Sequence, residues 1–315
     1  MSVVCRSNYT AVNENGFQVK SQSLGSYHWK PNAVFKSCIE ASQSGVQFDF
    51  IVVCTKALPD IRDDSVDLIE LVQSNSRCAI VLVQNGFGVE WPYRQRFPHT
   101  PILSCVTVVS CEQRVPGVVI HHRWTRISIG PFFHGSNAAV AKQPSDQLQT
   151  ESLAKLNGLY DAFQAGGITD AEKMDAIELQ LVRWHKLAIN ATFNPSAVLS
   201  GGVGNAEMLK DPQMEQHTRG CMAEILTAGP LVLGAAFPSH LATIDQLINS
   251  TRRNSMNAKP SMLLDWEAGR PLELEVILHN PLKLARKYGV EMPRLQTVYA
   301  LLRSAASHRT IKSHL

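Results

Sequence analysis

Between residues 183 and 195 the chain reads Arg-Trp-His-Lys-Leu-Ala-Ile-Asn-Ala-Thr-Phe-Asn-Pro. Lys186, Asn190 and Asn194 stand four residues apart, and because each step of four around an α-helix drifts by only ~40°, all three lie along one face. Trp184, Leu187, Ile189 and Phe193 beside them are apolar. A cation and two carboxamides on an otherwise buried helix must either reach solvent or line a cleft. The plain alternative is a lysine snorkelling at a surface edge next to two satisfied core amides; three aligned polar groups favour the cleft. The chemistry of such a cleft suits carbonyl reduction, since an ammonium can give a proton or a hydrogen bond to a developing alkoxide while amides orient a substrate's other polar groups. Ser261, in Lys259-Pro-Ser-Met-Leu-Leu-Asp265, and Glu273, in Gly269-Arg-Pro-Leu-Glu273, are further candidates. Each also has an ordinary structural reading, Ser261 as a helix cap and Glu273 as an acid in a first helical turn.

The elements that must position these groups change character along the chain. The first half carries short β-type runs: the stub Ser2–Cys5, then Phe48–Thr55 and Cys78–Gln84. Between the last two, Asp63–Ser74 places Val66, Ile69, Leu71 and Val72 on a helix-like face. Strands without polar alternation, joined by a helix, predict a parallel sheet covered on both sides. Ile102–Ser110 continues it, while Gly117–His122 and Thr125–Gly130 alternate more and read as an antiparallel end. Gly135–Gln149 has the composition of an exposed connection. Glu151–Ala165 reads as an amphipathic helix stopped by Gly166-Gly167. Helical patterns then dominate, over 175–193, 211–233, 240–249, 261–267, 272–288 and 294–304. The expectation is an α/β, Rossmann-like domain over residues 1–170 and an all-helical domain over 171–315, without internal repeats.

Composition narrows the function class. Of the 315 residues 44% are apolar and 18% charged, a globular balance that excludes a disordered or fibrous chain. The net charge of +3 comes without any Lys/Arg block, which argues against nucleic-acid or membrane-surface partners. The seven cysteines are odd in number and contain no C-x-x-C pair, so neither a disulfide framework nor a metal site is expected. No apolar leader and no stretch of bilayer length is present, which points to a reduced, cytoplasmic setting. The terminal Ser313-His314-Leu315 differs from the peroxisomal address S-K-L by one basic exchange and keeps that compartment as a minor alternative.

A sheet of this kind invites a search for the glycine-rich turn that seats a dinucleotide pyrophosphate on a helix N-terminus. No G-x-G-x-x-G follows a strand; Gly201-Gly-Val-Gly204 follows a helix instead and reads as a loop. The chain opens in what looks like a second strand, Val3-Val4-Cys5, leading into Arg6. In dinucleotide folds the end of that strand meets the adenosine ribose, where an arginine can fork onto a 2′-phosphate. A solvated loop charge is the other reading of Arg6.

Taken together, Thr55-Lys56-Ala57 after one strand, Gln84-Asn85-Gly-Phe-Gly88 after the next, Trp184-His-Lys186 with Asn190 and Asn194, Pro260–Asp265, Gly269-Arg-Pro-x-Glu273 and Tyr288-Gly-Val-Glu-Met-Pro293 follow one another in an order that resembles the ketopantoate reductases (2-dehydropantoate 2-reductases). The resemblance runs from about Val3 to Leu302 and rests on joint order and spacing. It implies an N-terminal Rossmann domain, a C-terminal helical domain like that of 6-phosphogluconate dehydrogenases, and an NADPH site between them. It further implies Lys186 as proton donor to the keto oxygen and Glu273 as substrate anchor that tunes the lysine. Asn190 and Asn194 would hold the substrate's hydroxyl end and Ser261 its carboxylate. Lys56 and Asn85, with Gly86, would meet the cofactor near its nicotinamide and Arg6 its 2′-phosphate. The implied reaction is NADPH-dependent reduction of a small 2-keto acid, 2-dehydropantoate by default, in pantothenate and coenzyme A synthesis, with a homodimer as the candidate assembly.

Departures from the pattern set the alternatives. The family's first strand, glycine-rich turn and following helix have no counterpart in the sequence, His279-Asn280 stands where Asn-Gly is usual in bacterial relatives, and His185 where an arginine is frequent. The competing readings are a reductase of another keto compound in a specialised pathway, and a shortened, non-catalytic relative that binds cofactor poorly.

Overall fold

The computed structural model describes residues 1–122, 125–133, 144–254 and 258–312; the terminal Ser-His-Leu and part of the expected 135–149 connection lie outside them. The first half runs β1 (Val3–Val4), α1 (Tyr9–Asn15), β2 (Phe17–Ser21), β3 (Gly25–Trp29), β4 (Val34–Phe35), α2 (Cys38–Ser42) and β5 (Phe50–Val53). A 3₁₀ turn at Asp64–Leu68 leads into α3 (Ile69–Gln73), then β6 (Ala79–Leu82), α4 (Trp91–Arg96), β7 (Ile102–Val108), β8 (Cys111–Val115), β9 (Val118–His121) and β10 (Arg126–Pro131). After α5 (Asp146–Ala165) and β11 (Asp170–Lys173) the described chain is helical. It comprises α6 (Ala176–Leu199), α7 (Asn205–Met208), α8 (Pro212–Leu233), α9 (Ile244–Arg252), α10 (Ser261–Glu267), a π-helical turn at Glu275–His279, α11 (Asn280–Lys287) and α12 (Pro293–Lys312).

The apolar runs near 50, 80 and 104 form the parallel core of a five-stranded sheet in the order β11-β10-β7-β6-β5. β10 is antiparallel to β7, as the more alternating pattern of that region predicts. In β6 every residue is buried, and successive side chains face opposite ways. Ile80 and Leu82 pack with Leu71, Tyr93 and Phe97 on one side, while Val81 packs with Leu156 and Leu159 of α5 on the other. Covering both faces is why these strands lack polar alternation. The structure shows an N-terminal Rossmann-like sheet followed by a helical C-terminal region, as expected.

Two features were not legible in advance. β2 and β3 form a hairpin that joins β9 and β8 in a separate four-stranded sheet, order β3-β2-β9-β8. Its strands are largely exposed, with Phe17 stacked on Trp29 as the main apolar contact between β2 and β3, so no buried run announces them. β1 and β4 pair with each other in parallel outside the five-stranded sheet, although Phe35 shares a core with Ile51 and Val53. The expected domain division at 170/171 falls inside β11, which pairs with β10 from Asp170 to Lys173.

α6 is the central helix. Asp175 caps it, accepting from the backbone N–H groups of Ile177 and Glu178, and Glu178 completes a capping box. It runs to Leu199 rather than stopping near Phe193, with Pro195 inside it. Proline removes one helical hydrogen bond, but Phe193, Pro195 and Ala197 are all buried, and tertiary burial outweighs that loss. Trp184 is fully buried and its Nε1–H donates to the carbonyl of Ile225 on α8, 2.8 Å away. The helix expected over 272–288 forms from Leu274 onward with a π turn at Glu275–His279 inside it and continues as α11, whose second residue is Pro281.

Candidate active site

α6 crosses the end of β7 and the loop that follows β6, and it grips both with two side chains one turn apart. Arg183 donates to the carbonyls of Gln84 (2.8 Å) and Gly86 (3.0 Å) in the loop and of Cys105 (3.1 Å) in β7, and also to Ser104 Oγ. Three residues later, Lys186 Nζ donates to Asn85 Oδ1 at 2.7 Å and to the carbonyl of Thr107 in β7. The loop between is held rigidly. Gly86 has φ +95°, and a Cβ there would meet the Val276 side chain at 2.5 Å. Phe87 N–H donates to Val276 O, and Asn280 Nδ2 donates to Phe87 O.

Lys186 is thus partly buried against two neutral acceptors. Burial pushes its ammonium down to about 8, the Arg183 guanidinium pushes the same way, and Glu273 opposes both. Glu273 is buried, which raises its carboxyl above the ordinary range, although an N–H from Ala57 (3.1 Å) and the charges of Lys56 and Lys186 pull it back. Lys56 forms an ion pair with buried Asp265, which also accepts from Arg270 Nε at 2.9 Å. Two lysines and two buried carboxylates therefore share one neighbourhood, and the pKa values of the acid and the base are driven toward each other. Displaced pKa values of this kind mark the cluster as the candidate site.

Asn190 and Asn194 follow Lys186 on α6 at the predicted spacing. Asn194 is buried and Asn190 half-buried, and neither makes a hydrogen bond to a described residue. Ser261 is exposed at the first position of α10, four residues before Asp265. Pro260, not Ser261, occupies the cap position, and the Ser261 hydroxyl has no partner among the described residues. Arg6 is not part of this cluster: its guanidinium lies 3.3 Å from Asp67 and 3.9 Å from Asp64. Gly86 is buried with its carbonyl taken by Arg183, so its evident task is to shape the loop that presents Asn85.

Three participants escape sequence reasoning. Thr107 acts through its carbonyl, which no side-chain pattern reveals. Asp265 lies in a quoted motif, yet its pairing with Lys56 and Arg270 links segments far apart. Glu90, fully buried, forms an ion pair with Arg183 Nε at 2.9 Å and accepts from Ser104 Oγ (2.6 Å) and Gln180 Nε2 (3.1 Å). A lone acid after Gly88 gives no hint of this.

A hollow of about 30 Å³ adjoins the cluster between Ala57, Gln84, Gly88 and Val276. The larger concavity, about 680 Å³, lies between α1 and the hairpin sheet, lined by Lys20, Tyr27, His28 and Gly117, and none of the residues above faces it. Volume and chemistry disagree, and convergent polar groups with displaced pKa values are the better guide. Among the described residues no cluster of His, Cys, Asp and Glu could hold a metal ion, and no helix is long and apolar enough to cross a membrane.

Residues 1–133 match the sequence profile of ketopantoate reductase PanE/ApbA, and residues 178–306 match its C-terminal counterpart. The chain belongs to the ketopantoate reductase family. Among solved structures, the 2-dehydropantoate 2-reductase of Methylococcus capsulatus superposes with a TM-score of 0.76 at 28% identity, covering 98% of this chain and 89% of that one. A 2-dehydropantoate 2-reductase of Nostoc is 29% identical over 229 residues, 71% of this chain and 64% of that protein. The fission yeast meiotically up-regulated gene 72 protein is 25% identical over 303 residues, 95% of this chain. The chain spans only about half the length of that relative (51%).

Proposed function

We propose that this ketopantoate reductase family member reduces a small 2-keto acid, 2-dehydropantoate to pantoate, with NADPH as reductant, and so serves pantothenate and coenzyme A synthesis. The observation that supports this most is the setting of Lys186: an acidified ammonium held by Asn85 and Thr107, within electrostatic reach of a buried glutamate, on a helix that carries two unpartnered carboxamides.

In this reading a reduced nicotinamide, when bound, supplies the hydride to the keto carbon. Lys186 gives its proton to the oxygen that gains charge, and an ammonium near 8 is mostly protonated at neutral pH yet gives up its proton more readily than an ordinary lysine. Glu273 anchors the substrate and sets the field at Lys186. Asn190 and Asn194 take the hydroxyl end and Ser261 the carboxylate. In this reading Lys56 and Asn85 meet the nicotinamide end of the cofactor, which suits Asn85 because Lys186 occupies only its Oδ1 and its Nδ2 makes no hydrogen bond to a described residue. The fit weakens toward the phosphates, because the chain carries no G-x-G-x-x-G turn and Arg6 is engaged by Asp67. We place the boundary between the cofactor-binding and substrate-binding parts after Lys173, at the end of β11.

The test is NADPH consumption by the chain with 2-dehydropantoate and a panel of other 2-keto acids. Turnover with 2-dehydropantoate that disappears in Lys186→Ala supports the proposal. Turnover only with another keto acid would move the assignment to that substrate. A folded chain inert with all of them at saturating NADPH would refute it.

A further inference from the structure

The reactive groups named above leave unused Arg183, a buried charged side chain that makes four hydrogen bonds. Arg183 and Glu90 are 3% and 0% exposed at the side chain, and their ion pair is enclosed by Ser104 and Gln180. A buried pair of this kind gains little net stability, because desolvation of two charges offsets their attraction. Its value must be sought in what it holds.

Arg183 spends its remaining donors on main-chain carbonyls that bracket the two acceptors of Lys186. In the loop it binds Gln84 O and Gly86 O, one residue to either side of Asn85. In β7 it binds Cys105 O, two residues before Thr107, which presents its carbonyl on the same edge of the strand. Arg183 and Lys186 thus form two rungs between α6 and the same pair of segments. The first rung fixes the distance and rotation at which the second meets Asn85. Glu90, 2.9 Å from Nε, supplies the countercharge, and its Oε1 accepts from the Ser104 hydroxyl that in turn accepts from Arg183.

We infer that Arg183, held in register by Glu90 and Ser104, is a positioning residue that seats the Lys186 ammonium on Asn85 and Thr107. This rests on the reductase reading only for its kinetic arm. The charged groups facing Nζ are Arg183 on its own helix and Glu273 ahead of the π turn, while β7 and the loop offer neutral acceptors. Loosening the first rung therefore lets water reach the amine, and its titration midpoint moves up toward that of an ordinary lysine.

Arg183→Lys keeps the charge but cannot span the loop and the strand. Ser104→Ala removes one hydroxyl from the enclosure and is mild enough to fold even if the first variant does not. In the full chain without substrate, the ε-carbon resonance of Lys186 in ¹³C-lysine-labelled protein, assigned by its loss in Lys186→Ala, reports the midpoint directly. An upward shift in either variant is expected, larger for Arg183→Lys. In the reductase assay, kcat should fall at least about tenfold in Arg183→Lys with KM for the keto acid little changed, and the alkaline limb of the rate profile should move up with the midpoint. Combining Ser104→Ala with Arg183→Lys should add little, since both disturb one unit. A midpoint unchanged in both variants overturns the inference, even where the melting temperature drops. If no keto acid is reduced by the wild-type chain, the functional proposal fails while the resonance measurement still decides this one.

Discussion

Lys186 Nζ reaches Asn85 Oδ1 across 2.7 Å, joining two residues 101 positions apart at the seam between the five-stranded sheet and the helical region. The amine that would protonate substrate is therefore held by the loop expected to meet the nicotinamide. Replacing Lys186 with Ala removes the proton donor and leaves that loop anchored by Arg183 and Val276. We expect kcat to fall by about 10²–10⁴, the usual share of a positioned general acid, while NADPH affinity stays within a few-fold. Steady-state kinetics beside a fluorescence titration of NADPH checks both, and an unaltered kcat would take Lys186 out of the mechanism.

The pH profile follows from the same environment. With the lysine at about 8 in the folded chain against 10.5 ordinarily, the proton-donating form is filled below pH 8, and the rate should decline as pH rises through that value. The linkage to stability has the opposite slope. A lysine lowered by folding opposes the native state fully below pH 8, and that opposition fades between 8 and 10.5 as the unfolded chain alone stays protonated. Between those values wild type should gain stability with pH relative to Lys186→Met, read from paired denaturant titrations. A rate that is flat to pH 10 would contradict the assigned lysine environment.

The sequence made α6 and its stripe visible because a 3.6-residue repeat with three aligned polar groups survives any reasonable choice of helix boundary. β6 was equally plain, since a strand buried on both faces must be apolar throughout. What escaped depends on contacts that no local pattern encodes. The β2–β3 hairpin is mostly solvated, so it carries no buried stripe. Thr107 contributes a carbonyl, available to any residue type. Glu90 looks like a surface acid until the fold closes it over Arg183, and the π turn after Glu273 is a one-residue accommodation inside a pattern that reads as continuous helix.

Gly86 offers a test of the loop itself. At φ +95° an L side chain is strained, and an added Cβ would sit 2.5 Å from the Val276 side chain and 2.8 Å from its carbonyl. Gly86→Ala should destabilise the chain by about 2–4 kcal/mol through strain and overpacking together. Adding Val276→Ala removes the Cγ2 contact but not the Val276 Cβ, also 2.5 Å away, nor the carbonyl contact or the backbone strain, so recovery should be slight. Urea titrations of the two variants measure this, and full recovery in the double variant would show that the backbone conformation is unimportant.

On the proposed reading Arg6 is the residue assigned to the 2′-phosphate of NADPH, and it lies 3.3 Å from Asp67. A pyrophosphate is normally gripped by glycine-rich backbone N–H groups at a helix N-terminus, and no such turn occurs in these 315 residues. Losing an anion–helix interaction of ~1–2 kcal/mol weakens binding about five- to thirtyfold. Calorimetry should therefore show this chain binding NADPH at least about fivefold more weakly than a family member with the turn. In that reading the largely exposed Arg6 guanidinium takes the 2′-phosphate. An exposed ion pair is worth about 0–1 kcal/mol, so the guanidinium can leave it for a phosphate that it grips in a fork. Asp67→Asn removes the nearer of the two carboxylates that compete for Arg6 and should tighten NADPH binding several-fold while leaving NADH unchanged, whereas Arg6→Ala should erase the preference for NADPH. Equal effects of Arg6→Ala on both cofactors would remove Arg6 from the site, because only one of the two carries the 2′-phosphate.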